Sequence, residues 1–341
     1  MNTHEKKIDN LFLGWLYSSL TLVFIIIIVG GFTRLTNSGL SITEWELFKG
    51  ILPPLNKSNW ELYFSMYKQI PQFNLLNSNM SLSEFKIIFY WEYFHRILAR
   101  LIGLFFIIPL IYFYLVKKIN SRYLILCLLA SFLIVLQGLV GWYMVRSGLV
   151  NDVTVSHYRL SIHLSLAFII ISIIFWLILN FKRKTIITFF NFSRKNFPFL
   201  ILILLIFIQI IFGAFVSGLD AGKIYQTWPM MGNSLFPDDV NIKNLYNFFN
   251  FDNHSLVQFY HRSLAYLITI YILALSYYIF RNTVIKLYKP ISLILLFLTI
   301  QIILGIFTLV SGLNIYLASA HQISSILLVF TAINLYYLSA K

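Results

Sequence analysis

The stretch FLILILLIFIQIIFGAFV, at residues 199–216, decides the fold of this chain. It carries no charged side chain. As an α-helix it would extend about 27 Å, close to the roughly 30 Å thickness of a bilayer's hydrocarbon core. Seven further predominantly apolar runs follow the same pattern, at residues 11–32, 87–116, 123–145, 158–179, 257–279, 291–310 and 318–338. The sequence therefore predicts an all-α membrane protein with eight transmembrane helices.

The composition excludes an ordinary soluble domain. Of the 341 residues, 59% are hydrophobic and only 11% are charged, whereas soluble domains have about 25% charged residues. The single cysteine, Cys127, falls inside the third predicted helix. An intramolecular disulfide or a thiolate cluster is therefore excluded.

The net charge of +14 is unevenly distributed between the two sides of the predicted membrane. The termini and alternate short loops hold 14 of the 26 basic residues and only two of the 12 acidic ones, which leaves +12 on that side and +2 on the other. By the positive-inside rule, both termini and these loops are expected to be cytoplasmic. Insertion into a membrane explains such basic loops, so nucleic-acid binding is not expected.

The eight predicted helices form two sets of four with matching landmarks. The first helix of each set ends in a glycine, Gly31 or Gly213, and Ser-Gly-Leu follows each of them. The third helices both carry Gln, Gly and Ser-Gly-Leu, at 137, 141 and 147–149 and at 301, 305 and 311–313. An internal duplication explains this order. It predicts two duplicated four-helix bundles, with domains at residues 1–181 and 198–341 and a cytoplasmic linker at 182–197.

Four histidines lie at matched positions in the predicted spans: His95, His163, His261 and His321. Both halves have an even number of spans and hence one orientation, so all four lie toward the outer leaflet. An ionisable side chain in a membrane usually has a function, although a single histidine can also serve only in helix packing. Neighbouring antiparallel helices could present His95 with His163, and His261 with His321, to the two faces of a heme iron. Zinc is disfavoured, because histidines split between two bundles cannot surround one tetrahedral ion.

Other polar residues near the outer ends are candidates for heme contacts. His157 and His254 compete with the four matched histidines as iron ligands or substrate contacts. Guanidinium groups bind carboxylates in a bidentate manner, so arginines could hold heme propionates. The alternative is that they extend to lipid headgroups. The four candidate arginines are Arg34, Arg96, Arg159 and Arg262.

Five motifs in order along the chain carry a family resemblance: GGFTRLTNSGLS (30–41), EYFHR (92–96), GLDAGKIY (218–225), QFYHR (258–262) and AHQ (320–322). Together they resemble the heme A synthase family, in its mitochondrial and proteobacterial branch. Another branch has a pair of cysteines in the first outer loop, and residues 34–86 contain none. A route for electrons that depends on cysteines is therefore not expected here.

The resemblance implies a specific division of work between the bundles. The C-terminal bundle would hold heme b for electron transfer, with His261 and His321 as iron ligands. The N-terminal bundle would receive the substrate heme O between His95 and His163, and two successive hydroxylations of one porphyrin methyl group would give the formyl group of heme A. The implied partners are heme O synthase, cytochrome oxidase assembly factors, membrane lipid and an electron donor that the sequence does not identify.

The two halves differ three residues before the first histidine of each pair. Glu92 precedes His95, whereas Gln258 precedes His261. On a helix, such a residue shares a face with the histidine, so only the N-terminal heme would have a carboxylate beside it. The resemblance also points to Glu92 as catalytic, moving protons or holding an intermediate. The alternative is that Glu92 only pairs with Arg96, four residues on.

Two other functions use the same features. A non-catalytic diheme b-type electron-transfer protein would need the same four histidines, and secondary transporters are also built from repeats. Against a transporter, the spans lack the paired Gly/Pro interruptions of broken helices. The chain shows no Arg-rich, acid-poor leader, so we expect a multi-pass protein of the bacterial inner membrane.

Overall fold

The computed structural model describes residues 3–45, 49–117, 119–150, 152–240 and 248–341. Parts of the two outer loops lie outside the described residues, at 46–48 and 241–247, and so does Lys118 of a basic loop.

The described residues form ten α-helices and short 3-10 turns. Eight of the helices are long and apolar enough to cross a membrane, which confirms the prediction of an all-α membrane protein. The other two, α2 and α3, belong to the first outer loop. The bounds are α1 Thr3–Leu35, α2 Lys57–Tyr67, α3 Pro71–Leu76, α4 Leu82–Leu115, α5 Ser121–Gly148, α6 His157–Lys182, α7 Phe197–Gly218, α8 His254–Arg281, α9 Tyr288–Val310 and α10 Ile315–Ala340.

Helix α4 begins five residues before the apolar run that predicted it. Ser81 and Glu84 form a capping box, in which the Ser81 hydroxyl accepts from the Glu84 N–H and the Glu84 carboxylate accepts from the Ser81 N–H. Such a cap satisfies backbone donors that the first helical turn leaves unpaired. Polar capping chemistry therefore extends the helix beyond its hydrophobic part.

The outer faces of the spanning helices are apolar stripes. On α4, four residues spaced three or four apart are each more than half exposed: Leu101, Leu104, Ile108 and Ile111. On α5 the same spacing gives Ile125, Leu128, Phe132, Val135 and Leu139. Continuous apolar stripes of this length would be unfavourable in water. Lipid tails accept them at no such cost, so these stripes are suited to the hydrocarbon core of a bilayer.

The N-terminal unit comprises residues Met1–Ile174. Helix α1 packs along α4, and α4 also packs against α5 and α2. Near the start of α1, Trp15 contacts the aromatic rings of Phe12, Phe106 and Phe113. Its indole N–H donates to the backbone oxygen of Phe105, so the ring is fixed between α1 and α4.

The C-terminal unit comprises residues Phe175–Lys341, and its boundary falls inside α6. Helix α7 packs against α8 and α10, and α9 packs against α10. The last turns of α6 belong to this unit because Trp176 stacks on Tyr336 and also contacts Tyr337 of α10. The predicted functional division at residues 181 and 198 stays a prediction.

The described part of the first outer loop is folded. A buried cluster of aromatic side chains joins α2 and α3 to the start of α4: Trp60, Phe64, Tyr67, Phe73, Phe85 and Phe89. The Tyr67 hydroxyl donates to Gln72 and accepts from Asn77. Burial raises the pKa of Tyr67 above its usual range. The packing of this cluster holds the first outer loop in place where it approaches the candidate site.

Candidate heme sites

Each of the four matched histidines lies directly against a glycine of the spanning helix that precedes its own. A Cβ atom added to the glycine would lie 3.0–3.2 Å from the imidazole ring. That distance is tighter than ordinary van der Waals contact, so only glycine leaves each ring its present place. The pairs are His95 on Gly30, His163 on Gly141, His261 on Gly213 and His321 on Gly305.

The repeat in the sequence did not identify every glycine that faces a histidine. The comparison of the two halves matched Gly31 with Gly213, but the glycine that faces His95 is Gly30. Neighbouring residues on a helix point about 100° apart, and the rotation of α1 about its axis brings Gly30 to α4. Gly141, Gly213 and Gly305, which the repeat also singled out, all contact a histidine.

The C-terminal pair has the separation that one iron ion requires. The ring centroids of His261 and His321 lie 6.5 Å apart, with 78° between the ring planes. Two imidazoles bound to one metal at about 2.0 Å each would place their centroids about 6.3 Å apart. Axial ligands of heme bind from opposite faces and are free to rotate about the bond to iron. The spacing therefore fits a heme iron between the two rings.

Backbone hydrogen bonding determines which nitrogen His321 can offer to a metal. Its Nδ1 lies 3.0 Å from the backbone oxygen of Gln301. A carbonyl oxygen only accepts, so Nδ1 must carry the proton and Nε2 is left with the free lone pair. A second partner of this kind fixes the orientation of a ligating imidazole. On the other side of the pair, the Gln209 amide donates to the backbone oxygen of His261 at 3.0 Å.

The N-terminal pair is arranged in a related way. His95 rests on Gly30 of α1, and His163 rests on Gly141 of α5. The Gln137 amide donates to the backbone oxygen of His163 at 3.0 Å and lies 3.3 Å from the ring nitrogen Nε2. The structure thus brings His261 and His321 together, and it rests His95 and His163 on glycines of two other spanning helices. Within the described residues, no three or more His, Cys, Asp or Glu side chains converge as metal ligands.

Glu92 is buried, only 2% exposed, and both its carboxylate oxygens accept hydrogen bonds. One oxygen accepts from the Ser41 hydroxyl at 2.7 Å and from the Ile42 N–H at 2.8 Å. The other accepts from the Arg96 guanidinium, at 2.6 Å and 3.0 Å. The pairing of Glu92 with Arg96, considered from the sequence, is therefore confirmed. A role for Glu92 in moving protons stays a prediction.

Arg96 and Arg262 each donate hydrogen bonds to the outer loop that follows the first spanning helix of their own half. Arg96 donates to the backbone oxygen of Ile42 at 2.8 Å, and Arg262 donates to that of Tyr225 at 3.0 Å. Sequence reasoning missed this anchoring role. The signal was the recurrence of an arginine four residues after Glu92 or Gln258, which places it on the same helix face.

The other two candidate arginines also have protein partners. Arg34 donates to the Asn37 side chain at 3.1 Å. Arg159 donates to the backbone oxygen of Tyr143 at 2.7 Å, and its guanidinium lies 3.8 Å above that ring. Contacts between heme propionates and any of the four arginines stay predictions.

The two competing histidines lie at the beginnings of their helices. His157 is the first residue of α6, buried and 4.0 Å from the Tyr158 ring. His254 is the first residue of α8 and lines an open surface cleft with Asp239 and Asp252. Neither belongs to the two pairs that rest on glycines, and contact of either with a heme stays a prediction.

Comparisons with known proteins match nearly the whole chain. The family model described as cytochrome oxidase assembly protein matches residues 14–333. A heme A synthase of Pelagibacter ubique is 48% identical over 313 residues, which cover 92% of each chain. A heme A synthase of Nitrosospira multiformis is 42% identical over 335 residues, covering 93% of this chain and 90% of the relative. One of Rickettsia felis is 38% identical over 327 residues, covering 95% and 96% respectively. The chain therefore belongs to the heme A synthase family of cytochrome oxidase assembly proteins.

Proposed function

We propose that this chain is a heme A synthase, a membrane oxidoreductase that converts heme O to heme A for cytochrome oxidase. The reaction is the oxidation of one porphyrin methyl group by two successive hydroxylations. The resulting gem-diol loses water to give the formyl group. The observation that carries the proposal is the 6.5 Å spacing of His261 and His321, which suits one heme iron, in a family whose relatives are heme A synthases.

The C-terminal pair is proposed to hold heme b, through Nε2 of His321 and a ring nitrogen of His261. Gly213 and Gly305 give the rings space, and Gln301 fixes the tautomer of His321. When bound there, heme b would supply one-electron transfer. The residues of this bundle position the ligands and exclude water from them.

The N-terminal pair is proposed to bind the substrate heme O between His95 and His163. Glu92 shares the face of α4 with His95, three residues away, and is the acidic side chain we assign to proton movement beside the substrate. Ser41 donates to Glu92 from the outer segment and connects the carboxylate to that segment. Arg96 compensates the charge of Glu92, so the carboxylate is stable in its buried position.

The proposed location is the bacterial inner membrane, with both termini cytoplasmic. The support is the +12 against +2 charge asymmetry of the loops. The two histidine pairs and the folded outer segment would then lie near the periplasmic surface. Heme O synthase and cytochrome oxidase assembly factors are the expected partners, since heme O must be delivered and heme A passed on.

The test of this function is the identity of the pigments in purified protein. We expect mass spectrometry of extracts to find heme b together with heme O or heme A. His261→Ala and His321→Ala should each lose heme b and its low-spin spectrum while still inserting into the membrane. Two equivalents of heme b with no heme O or heme A would instead indicate a diheme electron carrier and overturn the proposal.

A pair of variants separates the chemical role of Glu92 from its role in anchoring the outer segment. Ser41→Ala removes one hydrogen bond to Glu92 and leaves its charge and its bond to Arg96 in place. Glu92→Gln removes the charge. If the carboxylate moves protons, only Glu92→Gln should accumulate heme O or its alcohol with little heme A. An equal loss of heme A in both variants would show that anchoring, and not the carboxylate's chemistry, is what the reaction requires.

A further inference from the structure

Three of the four histidines are held by a glutamine one helical turn before the glycine on which they rest. Gln137 precedes Gly141, Gln209 precedes Gly213, and Gln301 precedes Gly305, each by four residues. Residues four apart lie on the same helix face, so glutamine and glycine face the same histidine. The amide of Gln137 lies 3.3 Å from Nε2 of His163, and that of Gln209 lies 3.2 Å from Nδ1 of His261. The backbone oxygen of Gln301 lies 3.0 Å from Nδ1 of His321.

The fourth position breaks this pattern. Four residues before Gly30 stands Ile26, whose side chain has no hydrogen-bonding group. In the described part of the chain, the His95 ring forms no hydrogen bond. No polar partner therefore fixes the orientation of the His95 ring, in contrast to the other three histidines.

The orientation of the His95 ring provides an independent difference. His163, His261 and His321 all approach their glycine through Cε1, with Nδ1 the next nearest atom. His95 approaches Gly30 through Nε2, at 3.2 Å, with Cδ2 next at 3.5 Å. The ring of His95 is thus turned the opposite way, with its usual metal-binding nitrogen against α1.

We propose that His95 is the exchangeable axial ligand of heme O, and that His163 is the permanent one. This inference rests on the proposed function. The substrate must enter and the product must leave the N-terminal pair, and an iron held firmly on both faces has no free coordination position. With its Nε2 turned against Gly30, as in this structure, His95 would leave one face of the iron open, while Gln137 keeps His163 in place. In the C-terminal pair both histidines are held, as a permanent cofactor requires.

The test uses Ile26→Gln, which supplies the missing glutamine. The probe is carbon monoxide, which binds ferrous heme where an axial position is free. In the full-length, reduced protein we expect carbon monoxide to bind at the N-terminal site and not at the C-terminal one. Ile26→Gln should weaken that binding by about fivefold, the factor that one hydrogen bond of ordinary strength contributes. The matched control is Ile25→Gln, which places the same amide on the exposed side of α1 and should leave binding unchanged.

Replacement of the two ligands should give opposite results. His95→Ala should retain heme O in the extracted pigment and bind carbon monoxide at least as tightly as the parent protein. His163→Ala should lose heme O. The inference is overturned if His95→Ala loses heme O while His163→Ala retains it, or if Ile26→Gln binds carbon monoxide as the parent does. An extract of the parent protein with neither heme O nor heme A would overturn the proposed function itself, and this inference with it.

Discussion

A single added methyl group at Gly305 tests whether the glycines determine the geometry of the heme ligands. In Gly305→Ala, the new Cβ would lie 3.0 Å from Cε1 and 3.4 Å from Nδ1 of His321. Ordinary contact begins near 3.4 Å, so the ring would have to retreat by about 0.4 Å. The retreat also stretches the hydrogen bond from Nδ1 to the Gln301 oxygen, which is 3.0 Å long now.

The expected cost follows from overpacking in a fitted site. Such insertions typically cost about 1–3 kcal/mol, which corresponds to an about 5- to 150-fold loss of heme b affinity if it is borne by the bound state. Alanine is the better helix former by about 1 kcal/mol. A loss of heme b therefore cannot come from a weakened helix.

Transfer of heme b from purified protein to an excess of apomyoglobin measures this affinity. Gly138→Ala is the matched control, because a Cβ there would meet no atom within 4 Å. We expect Gly138→Ala to release heme b at the parent rate and Gly305→Ala to release it much faster. A parent-like release rate and low-spin spectrum in Gly305→Ala would refute the argument that this glycine makes room for the ligand.

Three further predictions concern the carboxylate, the topology and the second outer loop. Glu92→Gln should retain heme b and bind heme O but make little heme A, measured by pigment extraction from a host without its own synthase. Wild-type heme A output would contradict this. Reporter fusions after Lys184 and Lys286 should be cytoplasmic and fusions within residues 241–253 external, because of the loop charges; the reverse pattern would invert the topology. Burial acts to raise the pKa of Asp239, but hydrogen bonds from Ser255 and Tyr225 outweigh it and hold the pKa below its usual value. The stabilisation is therefore present above the unfolded pKa of about 3.9 and is lost as the pH falls through the lower folded pKa. Limited proteolysis of this loop should increase in acid, and Asp239→Asn should remove most of that dependence; an unchanged acid response in the variant would exclude this carboxylate as its cause.

The architecture could be predicted because the bilayer imposes a length and a polarity on every span. All eight predicted runs lie largely within described helices. The closeness of His261 and His321 also followed from the sequence, since duplicated spans share an orientation. What the sequence could not provide was the rotation of each helix about its axis. The contact of His95 with Gly30 rather than Gly31 depends on that rotation.

The hydrogen bonds of the outer loops also could not be predicted from sequence patterns. Glu92 and Arg96 were recognised as a possible pair because they are four residues apart on one helix. Their bonds to Ser41, Ile42 and the Glu44 oxygen join residues about 50 positions apart in the chain. The order of residues along α4 does not indicate where the first outer loop will contact that helix.

The substitution of Glu92 by Gln258 at the matched position reverses the direction of the bond to the outer segment. Glu92 accepts from the Ile42 N–H, whereas the Gln258 amide donates to the Tyr225 oxygen at 2.8 Å. Both segments are thereby anchored, so the difference is not needed for folding of the site. It changes the local charge instead. Glu92 compensates Arg96, whereas in the described structure no acidic side chain pairs with Arg262. An uncompensated cation stabilises the reduced form of a neighbouring redox centre. On the proposed assignment, the difference between Glu92 and Gln258 thus gives the two halves different functions. The N-terminal half has a carboxylate beside the substrate, and the C-terminal half has a positive charge beside the heme that carries electrons.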